Sequence, residues 1–441
     1  MKAVFICGGI GKRMRPITKD KTLLNFCGKS LIRHHLETAL SAGIEKFLII
    51  GNPDNIDDIK AVAGTIPKTN IDFAVQEKPS GMAGALLSAA SLLGKEPIII
   101  VNPNDIFESS AYTNLLNAFT ADTSYSAYIT AHKVDTYFPG GYLAIDEQNE
   151  IRTIIEKPAK GSEPSNLVNI VIHLYSNPQT LVNYLKKTTS KTDDIYEKSI
   201  DTMIHDGQKI KAVIYDSSWH AIKYPWHILY AMDHFLQRLT PRIASTARIS
   251  DKAVIDGQVI IEDNAKVFEG AVIRGPSFIG RNTIIGNNAL IRESHIGESS
   301  VIGFSAEIKH SYIGDTCWFH SNYIGDSIIE DNCSFGAGAV TANFRLDETN
   351  IGTTINDDKI DTGTDKLGAM IGSGARIGIN ASLMPGIRIG SNAFVGPHVC
   401  LTHDLDAGKM ALSSSSYKVL PNKNLALDQN KRSKLLDKLG K

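Results

Sequence analysis

The 441-residue sequence has almost no net charge, and it lacks a cysteine motif and a long apolar run. Its 46 basic and 47 acidic residues leave a formal charge of −1, which argues against a broadly basic, nucleic-acid-binding surface. Its five cysteines are scattered without CxxC spacing, and this favours reduced thiols over a disulfide framework or a zinc site. No apolar stretch has the length of a membrane span, and the N-terminus does not resemble a signal peptide. These absences predict a cytoplasmic protein with no nucleic-acid or membrane partner.

The first half of the chain alternates short β-prone runs with segments of helical spacing. Runs such as KFLIIG and PIIIVN are separated by segments such as KSLIRHHLETALSAG and SAYTNLLNAFT. This alternation predicts a Rossmann-like α/β domain over residues 1–238, with a mostly parallel sheet covered by helices. Ligands of such folds bind at the carboxyl ends of the strands.

The predicted first strand, KAVFI, is followed directly by the glycine turn CGGIG. Backbone N–H groups in such a turn can point at an anion, and Lys12 and Arg13 add positive charge. The stretch is not a Walker loop, because Ile6 and Arg13 replace a required Gly and Ser/Thr. It is not a dinucleotide fingerprint either, because the third glycine is missing. A phosphate-binding loop and an ordinary strand-to-loop turn therefore both remain open at this point.

After about residue 238, aliphatic residues recur at every sixth position. One uninterrupted frame runs from Ile243 to Ile291, a second from Ile296 to Ile308, and a third from Ile371 to Leu401. This period indicates the hexapeptide repeat of a parallel β-helix, in which each six-residue side directs one aliphatic side chain inward. We predict that this all-β domain covers 243–405 and that a polar loop at 341–370 leaves it. The tail at 406–441 is either a short basic helix or a solvated segment.

The motifs of the first half together resemble those of the sugar-1-phosphate nucleotidylyltransferases. The family signature G-x-G-T-R-[LM]-x-P is similar to the segment from Gly9 to Pro16, and Lys21 matches the lysine of the P-K-x-L-L-P motif that follows. The resemblance covers residues 1 to about 236. It implies transfer of a nucleotide from a nucleoside triphosphate to a sugar 1-phosphate, with release of pyrophosphate and with Mg²⁺ as cofactor.

This resemblance also implies roles for individual residues. Arg13 and Lys21 would act on the phosphates as catalytic residues, and Asp105, in the segment VNPNDIF, would hold Mg²⁺. The residues implied to bind the nucleotide are Gly8, Gly9, Gly11, Gln76 and Gly81. The residues implied to bind the sugar are Gly141, Glu156 and Asn169.

The second half resembles the acetyltransferase half of the bifunctional enzymes that make UDP-N-acetylglucosamine, especially their archaeal-type version. The resemblance implies a left-handed β-helix, assembly as a homotrimer and acetyl-CoA as co-substrate. In the segment HSNYIGDSIIEDNCSFGAGAV, it implies that His320 is the catalytic base. The residues implied to bind the acetyl acceptor are Arg292, Lys309 and Tyr323.

Among the departures from the family motifs, four bear on the predicted sites. Ala221 stands where the W-x-D-[VI]-G-x-P motif has a second metal-binding Asp. Either Asp216 or His220 compensates, or one carboxylate and the substrate phosphates hold the ion. The other three are Met82 for Thr beside the base, Val171 for Gly in the sugar site and Ser334 for Asn in the acetyl-CoA site.

Three functions remain open on these residues. The first is a bifunctional enzyme. The second is a nucleotidyltransferase whose β-helix, or solenoid, only oligomerises or binds an effector. The third is a regulatory subunit that binds sugar nucleotides without turnover, which Ala221 favours and Lys21 with Asp105 argue against. Gln76 suits uracil or thymine, so the predicted substrates are UTP or dTTP with N-acetylglucosamine 1-phosphate or glucose 1-phosphate.

Overall fold

The computed structural model describes residues 1–67, 69–355, 358–414, 418–422, 434 and 437–438. In it, an α/β domain is followed by a parallel β-helix. Most of the tail that we predict to be either helical or solvated falls outside the described residues. No helix in the described part of the chain is long and apolar enough to cross a membrane. All five cysteines are free thiols.

The α/β domain contains thirteen strands and eight helices among its described residues. The strands are β1 (Lys2–Ile6), β2 (Asn25–Phe26), β3 (Lys29–Ser30), β4 (Lys46–Gly51), β5 (Asn70–Val75), β6 (Ile98–Val101), β7 (Asp105–Phe107), β8 (Ala127–Lys133), β9 (Gly141–Ile145), β10 (Ile151–Glu156), β11 (Leu167–Tyr175), β12 (Ile210–Ile214) and β13 (Trp219–Ala221). The helices are α1 (Leu31–Ser41), α2 (Ile56–Ala63), α3 (Gly81–Ser88), α4 (Ala90–Leu93), α5 (Ser110–Ala121), α6 (Pro178–Lys187), α7 (Ile195–His205) and α8 (His227–Leu236).

A nine-stranded mixed sheet forms the centre of this domain. Strands β5, β4, β1 and β6 are parallel neighbours, which confirms the parallel arrangement predicted from the alternation. Strand β11 runs antiparallel beside β6 and connects it to β8 and β9. The central strand β1 is almost fully buried, so the glycine turn that follows it lies at the carboxyl edge of the parallel strands.

The β-helix continues the chain from residue 242. Its strands are β14 (Arg242–Ile243), β15 (Arg248–Ile249), β16 (Val254–Asp256), β17 (Val259–Ile261), β18 (Lys266–Val267), β19 (Val272–Arg274), β20 (Ser277–Ile279), β21 (Ile284–Ile285), β22 (Leu290–Arg292), β23 (His295–Ile296), β24 (Val301–Ile302), β25 (Glu307–Lys309), β26 (Tyr312–Ile313), β27 (Trp318–Phe319), β28 (Tyr323–Gly325), β29 (Ile328–Ile329), β30 (Ser334–Phe335) and β31 (Val340–Thr341). After the hairpin β32 (Gly352–Ile355) and β33 (Asp358–Asp361) come β34 (Met370–Ile371), β35 (Arg376–Ile377), β36 (Ser382–Leu383), β37 (Arg388–Ile389), β38 (Phe394–Val395), β39 (Cys400–Leu401) and β40 (Met410–Ala411).

These strands, apart from the hairpin, form three parallel sheets of eight, nine and eight members. This is the parallel β-helix that the repeats predict, left-handed as the family resemblance implies. The aliphatic residues of the six-residue period point inward: Ile261, Ile285 and Ile308 are fully buried. Ile243, the first of the series, is 50% exposed because it lies on the terminal coil. Parallel pairing continues to β40, beyond residue 405 where we predict the end of the domain.

The insert at 341–370 lies outside the three sheets, which continue across it from β29, β30 and β31 to β34, β35 and β36. It contains the antiparallel hairpin β32–β33, and its Ile351, Ile355 and Leu367 side chains are buried. They belong to an apolar cluster that joins both domains, which we call the interdomain core. Its other buried members are Met14, Ile17, Leu24, Phe26, Leu31, Ile106, Ile222, Trp226, Ile228, Leu229, Ala231, Met232, Leu236, Phe278, Tyr312, Ile328 and Met370. The insert therefore leaves the β-helix, and three aliphatic residues of this polar segment anchor it against the rest of the protein.

Candidate active sites

A polar cleft opens at the carboxyl ends of β1 and β6. It consists of two cavities of about 510 and 410 Å³, whose walls share Arg13, Gly81 and Lys223. The residues predicted for the nucleotide line the smaller cavity, and those predicted for the sugar line the larger one. The fold therefore brings both predicted groups into one continuous cleft, although Gly8 and Asn169 are 161 residues apart in the sequence.

The glycine turn and Gln76 form the end of the smaller cavity. A β-carbon at residue 8 would lie 2.1 Å from Gln76 Oε1, so only glycine allows this close approach. Gln76 Nε2 donates a hydrogen bond to the carbonyl oxygen of Gly81 at 3.0 Å. Gly11 has a φ of +59°, a left-handed conformation that glycine adopts without strain. Together with Gly9, these residues line the cavity as predicted.

Four cations line this cavity, Lys12, Arg13, Lys21 and Lys223, and none of them has a carboxylate partner within 4.0 Å in the described part of the chain. Lys21 Nζ donates to the carbonyl oxygen of Ile222 at 3.2 Å. Burial, and then the charge of Arg13, lower the pKa of Lys21 to about 8. The Arg13 guanidinium lies 5.8 Å from the ring centroid of Tyr224. Unpaired cations that repel each other in a cleft indicate a site built for an anion.

Asp105 supplies the carboxylate of the cleft, at the start of β7. Its Oδ2 accepts a hydrogen bond from Asn102 Nδ2 at 3.1 Å, and its Oδ1 accepts one from Trp219 Nε1 at 3.3 Å. Burial raises the pKa of Asp105, and the positive charge of Lys223 opposes this rise. Each oxygen keeps a lone pair, so the carboxylate can still bind a cation.

The structure also tests what replaces the second metal ligand. Ala221 pairs directly with Asp105 across β7 and β13, at the place where a second carboxylate would meet the ion. His220 points to the opposite face, with its ring 5.6 Å from that of His234, which argues against the alternative that His220 compensates. Asp216 is exposed, and the described residues contain no group of three metal-binding side chains. One carboxylate combined with substrate phosphates is nevertheless a donor set that Mg²⁺ uses.

The larger cavity contains the predicted sugar-binding residues. Glu156 Oε2 lies over Gly141, 3.2 Å from where a β-carbon would be. Asn169 Oδ1 is hydrogen bonded to His173 Nε2 at 2.5 Å, and His173 Nδ1 is 2.7 Å from the Tyr196 hydroxyl. This buried chain of side chains fixes the orientation of the Asn169 amide.

Acidic residues that sequence reasoning missed line the same cavity. Glu197 and Asp193 lie in its wall together with Val171 and Met82, the two residues that depart from the family motifs. Burial, and then the charge of Glu156, raise the pKa of Glu197 to about 7. No motif marks Glu197 or Asp193, because both precede or begin an ordinary helix, α7.

The second candidate site lies on one sheet of the β-helix. Arg292 and Lys309 are in register on adjacent strands β22 and β25, and Tyr323 begins the next strand, β28. Lys309 Nζ is 3.3 Å from Asp326 Oδ2, and the Arg292 guanidinium is hydrogen bonded to Glu307. Both cations therefore have a carboxylate partner, unlike those of the first cleft.

His320 lies between glycines of the preceding and following coils of the β-helix. In the sheet that contains β24, β27 and β30, it follows Phe319, while Gly303 and Gly336 hold the equivalent positions one coil before and after. His320 is therefore an exposed side chain flanked by glycines. Ser334 is the direct neighbour of Trp318, which is 60% exposed. His320 and Ser334 thus lie on neighbouring coils at one surface.

A histidine that was not predicted connects the two domains beside this site. His310 Nδ1 is 2.7 Å from Asp326 Oδ1, and its Nε2 is 3.1 Å from Asp233 Oδ1 on α8. Burial would lower the pKa of His310, but hydrogen bonds to the two carboxylates raise it to about 9. Asp326 also accepts a hydrogen bond from Asn343, so it links His310, Lys309 and the insert.

Comparison with known proteins gives matches along almost the whole chain. Residues 2–224 match the nucleotidyl transferase family, 241–356 match a GMPPB C-terminal domain, and 368–403 match six bacterial transferase hexapeptide repeats. The bifunctional protein GlmU of Methanococcus vannielii is 31% identical over 435 residues, covering 92% of this chain and 96% of that protein. A bifunctional sugar-1-phosphate nucleotidylyltransferase/acetyltransferase of Sulfurisphaera tokodaii is 31% identical over 428 residues, covering 93% of this chain and 99% of that protein. A solved UDP-glucose pyrophosphorylase with bound UDP-glucose is 21% identical, with a TM-score of 0.47, and covers 54% of this chain and 98% of that one.

Proposed function

This chain belongs to the nucleotidyl transferase family, and on that premise we propose that it is a sugar-1-phosphate nucleotidylyltransferase with an amino-sugar-1-phosphate N-acetyltransferase in its β-helix. The observation that carries the proposal is the convergence of Arg13, Lys21 and Asp105 in one cleft with Gly141 and Glu156. The names of the full-length relatives support the same pair of activities.

In the first reaction, a phosphate oxygen of the sugar 1-phosphate attacks the α-phosphorus of the nucleotide, and pyrophosphate leaves. Such a transfer needs in-line positioning and charge neutralisation rather than covalent help. Arg13 and Lys21 would neutralise the phosphates, while Gln76 and the glycine turn would hold the nucleotide. Uracil or thymine as the base, and N-acetylglucosamine or glucose as the sugar, remain the substrates we propose.

Magnesium would be held by Asp105 together with the substrate phosphates. Bound Mg²⁺ neutralises phosphate charge and orients the triphosphate. Asn102 and Trp219 would fix the orientation of the carboxylate through the hydrogen bonds described above.

In the second reaction, the amine of a sugar such as glucosamine 1-phosphate attacks the thioester carbonyl of acetyl-CoA, and CoA leaves as the thiol. His320 would take the proton of the amine, which its exposed position next to two glycines allows. Lys309 and Arg292 would bind the acceptor phosphate, and Tyr323 would position the sugar. Acetyl-CoA would bind at the surface that carries Ser334, in a homotrimer built through the solenoid.

One panel tests the nucleotidyl transfer. The full-length protein is incubated with Mg²⁺, one nucleoside triphosphate and one sugar 1-phosphate, and pyrophosphate release is measured. The nucleotides are the four ribonucleoside triphosphates and dTTP, and each is combined with every sugar 1-phosphate of a set. We expect release with UTP or dTTP and N-acetylglucosamine or glucose 1-phosphate. No release from folded protein with any pair would contradict the enzymatic function and favour a regulatory subunit.

A second assay separates a bifunctional enzyme from a nucleotidyltransferase with a structural solenoid. Free CoA is measured after incubation with acetyl-CoA and glucosamine or galactosamine 1-phosphate. We expect slow release of CoA. Nucleotidyl transfer without any CoA release would leave the solenoid with an assembly role only.

We also propose a cytoplasmic location. The five free cysteines agree with a reducing compartment.

A further inference from the structure

Lys223 lies where the nucleotidyltransferase motif has glycine, two residues after Ala221. Side chains on one face of a strand are two residues apart, and the hydrogen bond from the Ile222 amide to the Asn104 carbonyl oxygen extends the pairing beyond β13. Trp219, Ala221 and Lys223 therefore share the face on which Trp219 Nε1 contacts Asp105. The same departure that removes a carboxylate from the cleft adds a cation to it.

The Lys223 ammonium is held in place by the loop between β8 and β9. Its Nζ donates to the Pro139 carbonyl oxygen at 2.6 Å and lies 3.5 Å from the ring centroid of Phe138. No carboxylate oxygen lies within 4.0 Å of this Nζ among the described residues. An ammonium has three donors, so two remain for a ligand.

The charges of the cleft point to the class of that ligand. Arg13 and Lys223 line both cavities, and Lys21 lies beside them with Nζ 3.2 Å from the Ile222 carbonyl oxygen. In the smaller cavity, these three cations and Lys12 face one carboxylate, Asp193, so the lining of that cavity has an excess of positive charge. The other carboxylates of the cleft line the larger cavity. Mutual repulsion makes such a cluster unfavourable by itself, and a polyphosphate relieves it.

Resting on the proposed function, we propose that Lys223 binds an oxygen of the nucleoside triphosphate and replaces the second metal-binding carboxylate of the family, so that the triphosphate binds without a divalent ion. A fixed ammonium near the α-phosphate does part of the neutralisation that a metal held by two carboxylates would do. Asp105 then holds Mg²⁺ only together with the substrate phosphates, and the ion contributes to turnover rather than to binding.

The test measures binding, not turnover. Titration calorimetry with UTP and with dTTP is carried out on the full chain, once with EDTA and once with excess Mg²⁺. We expect the wild type to bind one of them in EDTA, and we expect Lys223→Met to bind it at least about tenfold more weakly there. Met keeps an apolar stem over Phe138 but removes the charge, and circular dichroism checks that the variant is folded.

Two further variants sharpen the result. Lys211→Met is the matched control: Lys211 also lies over an aromatic ring, that of Tyr125 at 5.0 Å, but outside the cleft, and its loss should leave UTP binding unchanged. Lys223→Arg keeps the charge and should retain most of the binding in EDTA. The double variant Ala221→Asp/Lys223→Gly restores the family motif, so we expect it to bind Mn²⁺ in the absence of nucleotide. Electron paramagnetic resonance detects this binding. We expect no such binding by the wild type.

The outcomes separate this inference from the proposed function. Equal binding of UTP or dTTP by wild type and Lys223→Met in EDTA would overturn the role of Lys223. Binding by the wild type only with Mg²⁺ would overturn it as well, while the nucleotidyltransferase function would stand. No binding by folded protein under either condition would refute both.

Discussion

Lys21 carries the fixed charge on which we expect nucleotidyl transfer to depend most. It is buried, unpaired in the described part of the chain, and next to Arg13 in the cleft. Lys21→Ala should lower turnover by roughly two to three orders of magnitude, because it removes one preorganised charge from the transition state. Pyrophosphate release under saturating substrates measures this. A decrease of less than about threefold would mean that Lys21 does not contact the reacting phosphates.

Ser334 and His320 decide the chemistry of the solenoid surface. Ser334 has a shorter reach than the Asn of the family motif, so it should position acetyl-CoA less well and keep CoA release slow. We expect Ser334→Asn to increase CoA release severalfold and His320→Ala to abolish it. Pyrophosphate release serves as the control, since it should survive both substitutions. Unchanged CoA release in His320→Ala would exclude His320 as the base.

Glu330, in the β-helix, holds the segment of the first domain that contains Thr18 and Lys19. It is 4% exposed and accepts hydrogen bonds from the Thr18 and Lys19 amides at 3.0 and 2.6 Å. It also accepts one from the Ser373 amide at 2.8 Å, so a single carboxylate holds two elements together. The segment that it anchors leads directly into Lys21, and this makes Glu330 a positioning residue for the first cleft.

Glu330→Gln should therefore impair nucleotidyl transfer although the residue lies outside the α/β domain. An amide has one acceptor oxygen and brings N–H groups towards backbone N–H groups, so we expect a roughly tenfold lower kcat with little change in the KM for the sugar phosphate. Glu262→Gln is a suitable control, because Glu262 follows Ile261 at the equivalent corner of another coil and pairs with Arg242. CoA release should stay unchanged in both. Equal kcat values for the two variants would contradict the positioning role.

His310 makes the connection between the two domains dependent on pH. Its pKa is raised to about 9 by Asp233 and Asp326, against an ordinary value of 6.5. Because the pKa of His310 is higher in the folded protein, its protonation stabilises the folded state. This contribution to the free energy of unfolding is fully present below pH 6.5, where His310 is protonated in both folded and unfolded forms, and it is lost as the pH rises through 9. It amounts to about 3 kcal/mol for a shift of this size.

Denaturant unfolding between pH 6 and 10 measures this loss. The wild type should lose most of that stability across the range, whereas His310→Asn should be less stable at pH 6 and nearly flat above it. Against the effect of burial, the hydrogen bond from His310 helps to hold the pKa of Asp326 below its ordinary value, so the ionisation of this carboxylate does not obscure the trend. Parallel curves for the two proteins would show that the histidine is not charged in the folded state.

At the scale of the whole molecule, we predict a homotrimer assembled through the solenoid. Phe304 and Trp318 are 62% and 60% exposed on adjacent coils close to His320, and large exposed aromatic side chains mark interaction surfaces. Light scattering should give three times the mass of one chain, and Phe304→Glu combined with Trp318→Glu should give monomers that keep nucleotidyl transfer. A monodisperse wild-type monomer would contradict the assembly.

Local regularity determined much of this protein from its sequence alone. An aliphatic residue at every sixth position predicts the β-helix, because each coil has one inward position per side and the coils stack in register. The motifs around Gly9, Lys21 and Asp105 predicted the first cleft through their resemblance to the nucleotidylyltransferase motifs, and ligands of such folds bind at strand ends. Both inferences depend on short sequence separations, where pattern and structure correspond directly.

Only the tertiary structure decided the features that depend on distant partners. Thr18 and Glu330 are 312 residues apart in sequence, and nothing in either segment indicates their hydrogen bond. The insert was predicted as a polar loop outside the β-helix, and only the structure shows that Ile351 and Ile355 pack into an apolar core between two domains. Lys223 was an unremarkable departure in a motif until strand pairing placed it on the same face as Asp105. Such contacts form because burial and charge balance are satisfied in three dimensions, and the order of residues along the chain does not record them.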